Sequence, residues 1–370
     1  RRTNSTPMKK TIIALATLAL AASATAQTST RLNAGKATEY GLVYSLPITT
    51  LDIYLEAELT QQHPGEFYNY ARRHLGINDA IKSDAMSATL KSVTIVPRGI
   101  ADPQQQWLAQ FKNGTSAYMT LSPDNIPMGI NAEGSTTMMP VVPAASPAAP
   151  SPLEGDAARQ AVTQEMARSA SVSKKAELAA QRIFELRETR SDILSGQADN
   201  PPADGEAMKL VLDNLAAQEA ALTAMFAGVS TTGTVVQKVT FTPDSTGTDG
   251  KVIARLSAVE GIVEPDNLAG APITLDIKVI ERGELPLTEK GEQKAFPKGG
   301  VAYRIPGTAQ VTVSYAGRAV ASAEVPLAQL GVVFGLNPSL FTDKRDPYSV
   351  TFDSATGAIL ELAPMSRSAE

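Results

Sequence analysis

The sequence contains no cysteine. That one absence removes disulfides, thiolate metal ligands, a cysteine nucleophile, and the cysteine that would carry a lipid after an export signal. Stability must therefore come from burial alone, which domains of a hundred or more residues can supply. Histidine is scarce: only His63 and His74 occur, without His-x-x-x-His spacing or a nearby carboxylate pattern, so no zinc site is expected. Aromatic residues make up 5% of the chain, with the single tryptophan Trp107, a thin provision for sugar-stacking platforms. Neither Gly-x-Gly-x-x-Gly nor Gly-x(4)-Gly-Lys-Ser/Thr is found, and Gly-x-Ser-x-Gly is missing too. Phosphate-cradling loops and the strained serine turn of hydrolases are thereby left out. The formal net charge is −5 and the basic residues are scattered. Such a surface repels phosphate backbones, so nucleic acid is not an expected partner.

Two short matches to chemical motifs are weak. Ser171 to Lys174 fits Ser-x-x-Lys, but the companion Ser-Asp-Asn and Lys-Thr-Gly boxes are missing. Pro243 to Lys251 resembles a calcium loop in composition only, because its oxygens miss the alternating positions and no closing Glu follows; it reads as a hairpin turn. No cofactor is indicated, and no catalytic residue can be named. Paired carboxylates for glycoside hydrolysis leave no sequence signature.

What is present begins with an export signal. After seven upstream residues, Met8 opens a run with Lys9 and Lys10, the apolar stretch Thr11 to Ala22, and Ala24-Thr25-Ala26. This is the three-part form of a secretory leader, placing the mature start at Gln27. No later window approaches the ~20 apolar residues of a membrane span, so the mature chain is expected to be exported, without a transmembrane segment or lipid anchor, to the periplasm or outside the cell.

Four segments then follow. Residues 27–139 alternate in the strand manner, with Leu51, Ile53 and Leu55 on one face and Asp52, Tyr54 and Glu56 on the other, as two strands joined near Pro47. A helix is expected through Phe67, Tyr70, Ala71, His74 and Leu75, closed by Gly76. Residues 140–152, "PVVPAASPAAPSP", read as a semi-rigid linker or exposed loop. Residues 153–228 hold two long helices, from about Asp156 to Ser195 and from Glu206 to Ala227, folded back antiparallel through turn formers near Asn200. At 1.5 Å per residue the first would span roughly 60 Å. A turn at Asn200 sets Arg187 opposite Asp213, an expected ion pair, with Arg190 on the seam near Val211. Residues 229–370 are nearly all short strands, as in a β-sandwich. The fold class is therefore α+β, mostly β: two β-rich units with a long helical hairpin between them.

One device is written twice. "GLVYSLP" at Gly41 to Pro47 is matched by "GVAYRIP" at Gly300 to Pro306, and echoed by "GVVFGLNP" at Gly331 to Pro338. A strand that begins at Gly and stops pairing at Pro is a corner, and a recurrent structural solution explains all three. Two hairpins also repeat their wording, "VTFTPDSTGTDGKVIARL" and "VTFDSATGAILEL".

The stretch from Arg182 to Gly228, "RIFELRETRSDILSGQADNPPADGEAMKLVLDNLAAQEAALTAMFAG", resembles exported Bacteroidales proteins carrying a domain of unknown function. The likeness extends to "GLVYSLP", "YARRHLGI", "AYRIP", "QLGVVFGL" and "TFDSATGAIL". It implies an envelope-associated or secreted protein of a Gram-negative anaerobe, with no assigned catalytic or binding residue. The expected function is non-catalytic docking of an envelope protein partner, through the hairpin (Ile183, Arg187, Arg190, Leu215) or an exposed strand edge. The alternatives are a hydrolase of envelope glycans using paired carboxylates, and a glycan- or small-molecule-binding module lined by Trp107, Tyr118 and Tyr303.

Overall fold

A computed structural model describes residues 29–31, 41–110, 117–134, 141–199, 205–343 and 345–365. The expected leader, its cleavage point and the turn at Asn200 lie outside the described residues. Thirteen strands and six helices follow one another among the described residues. The strands are β1 (Ser29–Arg31), β2 (Leu42–His63), β3 (Ala85–Ala109), β4 (Met119–Leu121), β5 (Pro127–Ile130), β6 (Val229–Phe241), β7 (Thr248–Ser257), β8 (Gly261–Val263), β9 (Ala271–Glu281), β10 (Val301–Tyr315), β11 (Arg318–Leu336), β12 (Tyr348–Phe352) and β13 (Ile359–Pro364). The helices are α1 (Ala71–Leu75), α2 (Asp156–Ala161), α3 (Gln164–Arg168), α4 (Val172–Ser195), α5 (Glu206–Ala227) and α6 (Ser339–Thr342). The protein is mostly β, in three antiparallel sheets ordered β1-β3-β2-β6, β11-β10-β9-β7-β8 and β13-β12-β5-β4.

The sheets do not respect the boundaries expected at 139 and 229. β6 pairs with β2 from Leu51 opposite Phe241 to His63 opposite Val229. β12 pairs with β5, with Val350 opposite Ile130. Alternation tells a strand which face is buried, but it does not name the neighbour across the hydrogen bonds. Nor does Pro47 split β2 in two. The β2–β3 ladder slips register between Ser45 and Pro47 and continues, because losing one donor is absorbed by a bulge. At about 3.3 Å per residue, β2 runs for roughly 70 Å.

One core joins the first two sheets: Leu51, Ile53 and Leu55 of β2 pack with Ile253, Ile273, Leu275, Val311 and Leu327. The helices make a second core at the end of β2, with Phe67, Ile183, Leu186, Leu222 and Phe226. The Phe67 N–H donates to Met225 O at 2.7 Å, and the Ile81 N–H to Ala227 O at 2.8 Å, pinning the helices where β2 ends and β6 begins. The helix predicted around Ala71 is present, preceded by a 3-10 turn over Tyr68–Tyr70 and closed by Gly76 at φ 70°.

The single 60 Å helix is a correction. Residues 156–195 form three helices, because hydroxyl side chains start new ones. Thr163 Oγ1 accepts from the Met166 N–H and Ser171 Oγ from the Lys174 N–H. The Ser-x-x-Lys match is thus an N-cap. Similarly, Asp244 Oδ1 accepts from the Thr246 N–H, the Thr246 Oγ1–H and the Gly247 N–H, so the calcium-like stretch is a side-chain-stabilised turn. The Pro/Ala tract is largely exposed and meets β6 at one bridge: the Ser146 N–H donates to Thr234 O at 3.1 Å and the Thr234 N–H to Ser146 O at 2.8 Å.

Opposite the core face of β2, Asp52 is buried. Its Oδ2 accepts from Arg98 Nε at 3.0 Å and Lys238 Nζ at 2.9 Å, and its Oδ1 from Thr240 Oγ1 at 2.8 Å. Burial opposes its ionisation, yet the hydrogen bonds from Lys238, Thr240 and Arg98, with the Arg98 charge, outweigh it and hold the carboxyl below the usual range. A depressed carboxyl pKa stabilises the fold above the unfolded value of ~3.9, and that contribution is lost as pH falls through the folded value. Asp52→Asn should therefore cost about 1–3 kcal/mol at pH 7. In urea unfolding, its deficit against wild type should shrink as pH falls below ~3.9; a deficit that is constant with pH would contradict this.

A candidate functional site where the three sheets meet

The written-twice device meets itself in space. Tyr44 of the first copy is fully buried; its hydroxyl accepts from the Ala302 N–H at 2.9 Å and donates to Ala302 O at 3.3 Å, and Ala302 belongs to the second copy. Each copy ends in a slipped register, between Ser45 and Pro47 in β2–β3 and between Ile305 and Gly307 in β10–β11. The third echo lies alongside, since Val301–Ile305 pairs with Val332–Leu336. Gly331 presses on the Ile305 carbonyl, where a Cβ has no room. A third core gathers here from every sheet: Tyr44, Leu46, Ala109, Ile130, Val301, Leu336 and Phe352.

Within this junction sits a buried cation. Arg304 is 7% exposed, with Nη2 2.8 Å from Asp102 Oδ2 and Nη1 3.4 Å from Ala328 O. Its Nε has no partner among the described residues. Burial pulls the guanidinium pKa down, while the charge and hydrogen bond of Asp102 resist. The turn of the second repeated hairpin closes the site: the Arg304 N–H donates to Gly357 O at 3.1 Å, and Thr49 Oγ1 donates to Ala355 O at 2.8 Å while accepting from the Ala328 N–H at 2.9 Å.

Next to the ion pair is an aromatic cluster. Trp107 and Phe296 stack with centroids 5.7 Å apart and planes 13° apart. Phe334 meets Phe296 at 6.2 Å and Tyr303 at 6.3 Å, both edge to face. Burial raises the Tyr303 pKa. The structure thus brings together two of the three expected aromatics. Tyr118 is elsewhere, 48% exposed, where its N–H donates to Asn131 Oδ1. Phe334 was missed although the sequence signalled it: it occupies the fourth position of the third echo, matching Tyr44 and Tyr303. Phe296 had no such signal, being an isolated ring in a polar loop.

The helix residues require corrections. Ile183 is fully buried in the helical core, so it is not a docking side chain, whereas Leu215 packs against that core half-buried. The expected Arg187–Asp213 pair is replaced by a clamp on Glu219: Arg187 Nε lies 2.6 Å from Oε1 and Arg190 Nη1 3.0 Å from Oε2. Beside the exposed Asp213, Asn214 Nδ2 donates to Gln160 Oε1 of α2 at 3.4 Å, so this part of α5 meets α2 where α4 was expected. The second histidine-bearing prospect also resolves into packing, with the His74 ring 6.4 Å from Phe226. His63 Nδ1 lies 2.6 Å from Asp84 Oδ1 at the surface. Among the described residues, no group of three or more His, Asp or Glu side chains could hold a metal ion, and no helix is long and apolar enough to cross a membrane.

Together these features define a mostly antiparallel β protein whose sheets are knitted at one buried, ion-paired junction. The chain belongs to the family described as Domain of unknown function (DUF4831), whose model matches residues 40–360. No curated protein and no solved structure matches the chain.

Removing Asp102 strands the Arg304 charge in a dry site. Asp102→Ala should cost about 3–5 kcal/mol in chemical unfolding, and Arg304→Met combined with it should recover much of that loss. Equal destabilisation in the single and double variants would show that the ion pair does not govern the junction.

Proposed function

We propose that this chain is an exported, non-catalytic protein of the cell envelope that docks a protein partner on the free end of an antiparallel hairpin formed by α4 and α5. In this view the sheet β1-β3-β2-β6 and the five-stranded sheet act as the two layers of a sandwich-like support, with the hairpin carried at one end. The observation that carries the proposal is the exposure of Leu194 (68%) and Leu210 (71%). They lie near the facing ends of two helices joined by residues 196–205. Phe184, further along α4, is also exposed, with Arg187 5.9 Å above its ring. Apolar surface covered by a partner gains on the order of 25 cal/mol per Å², and large apolar side chains grouped at an exposed end favour interaction sites.

Internal use of the acids supports the non-catalytic half of the proposal. Asp52, Asp102 and Glu219, the carboxylates with 5%, 14% and 15% exposed side chains, are each held by the chain's own cations. Export is supported by the leader-like run from Lys9 to Ala26 and by the likeness to exported Bacteroidales proteins. N-terminal sequencing of the mature protein should begin at Gln27; retention of Met8 would refute export by this leader.

For docking, Leu194→Asp combined with Leu210→Asp should lower recovery of the crosslinked partner from native envelopes about tenfold, which corresponds to ~1.4 kcal/mol. Circular dichroism and the urea midpoint should not move, since both side chains face solvent. Undiminished recovery from a folded variant would sink the proposal. Ile183→Asp makes no such test, because it places a charge in the helical core.

A further inference from the structure

Phe296 sits in a seat shaped for a ring. It comes from the long connection between β9 and β10, is 40% exposed, lies flat on Trp107 and meets Phe334 in a T-shaped contact. The floor is glycine: a Cβ at Gly335 would come 2.8 Å from Phe296 Cζ, and one at Gly300 3.2 Å from Cε1. Little else fastens this loop. Among the described residues, the backbone bonds of residues 284–298 stay inside the loop, as in Thr288 N–H to Glu292 O and Lys294 N–H to Pro286 O. Outside attachment begins at Gly283, whose N–H donates to Leu330 O. A single ring therefore closes this loop over an aromatic slot.

We propose that this slot is a binding site for an aromatic side chain of an extended protein segment, kept filled by Phe296 until such a segment replaces it. This site is separate from the helical end and goes beyond the docking proposed there. The chemistry of the walls selects the ligand. Trp107, Phe334, Tyr303 and two glycines offer flat apolar faces, and Trp107 Nε1, buried without a hydrogen-bond partner among the described residues, can take one acceptor such as a backbone carbonyl of the segment. A sugar ring would leave hydroxyls unpaired against such walls, whereas a phenyl ring is the shape already accommodated. The preferred segment resembles the present occupant, with a proline after the aromatic residue as in Phe296-Pro297.

Trp107 is the only tryptophan, so its fluorescence reports the slot directly. In the full-length chain, F296A should shift Trp107 emission to the red and raise acrylamide quenching, with the far-UV circular dichroism spectrum retained. A synthetic peptide copying residues 292–300 should bind F296A saturably and reverse both changes. It should bind wild type about tenfold or more weakly, because the slot is already occupied there. G335A should open the loop by displacing the ring, and should refuse the peptide because the added methyl fills the floor; it also serves if F296A fails to fold. The proposal is overturned if both variants leave Trp107 as in wild type. It is equally overturned if the peptide with Phe replaced by Ala binds as well as the original, or if a neutral hexasaccharide restores Trp107 emission where the peptide does not.

Discussion

The hydroxyl of Tyr44 holds both the N–H and the carbonyl of Ala302, and the rest of the β architecture depends on that contact. It is made where β2 and β10 both slip register at a proline, so each strand can bend there without leaving its ladder. Because the tyrosine is fully buried, its hydroxyl has no water to fall back on. Replacing either partner would leave backbone polar groups unpaired in a dry place, the costlier of the two ways to lose a hydrogen bond. The contact therefore fixes relative position as much as it stabilises.

β2 transmits that constraint along the molecule. Its first residues belong to the junction core, its middle to the core between the first two sheets, and its end abuts the helices. In a chain with no cysteine, one strand shared by successive cores does the work of covalent staples elsewhere, coupling regions far apart in sequence through burial. The Pro/Ala tract adds to this by pairing Ser146 with Thr234. Compositionally it looks like a spacer, yet its position gives it the role of an edge cover.

What could be read in the sequence follows the range of the forces involved. Local signals were legible: alternation marked Leu51, Ile53 and Leu55 as a buried face, Gly76 closed a helix, and the Asp turns of both repeated hairpins use their own side chains. The repeated Gly-x-x-Tyr device pointed to strands that stop pairing at proline, whereas the ladders slip register there and continue; the contact between its copies across 258 residues was not readable. Strand neighbours were not legible because a buried face is compatible with many partners. The caps Thr163 and Ser171 were present but read through, as helical periodicity on both sides hid them. Arg304 and Asp102 are 202 residues apart, and no spacing rule connects them.

Two kinds of surface could serve the proposed docking, a strand edge or the helical end, and the edges of β3 and β11 are built against it. Among the described residues, β3 is paired on its outer side only at residues 107–109. That long edge carries Pro97 and Pro103, with Lys91 and Arg98 between and before them. The outer strand β11 carries Pro326 beside Glu324. Proline interrupts the donors that an added strand would use, and charge penalises its approach. Recognition through backbone ladders is thus broken into short pieces along these two edges. Side-chain surfaces carry no such interruption, which favours the two proposed sites, the open leucines of the helices and the ring seat beside Trp107.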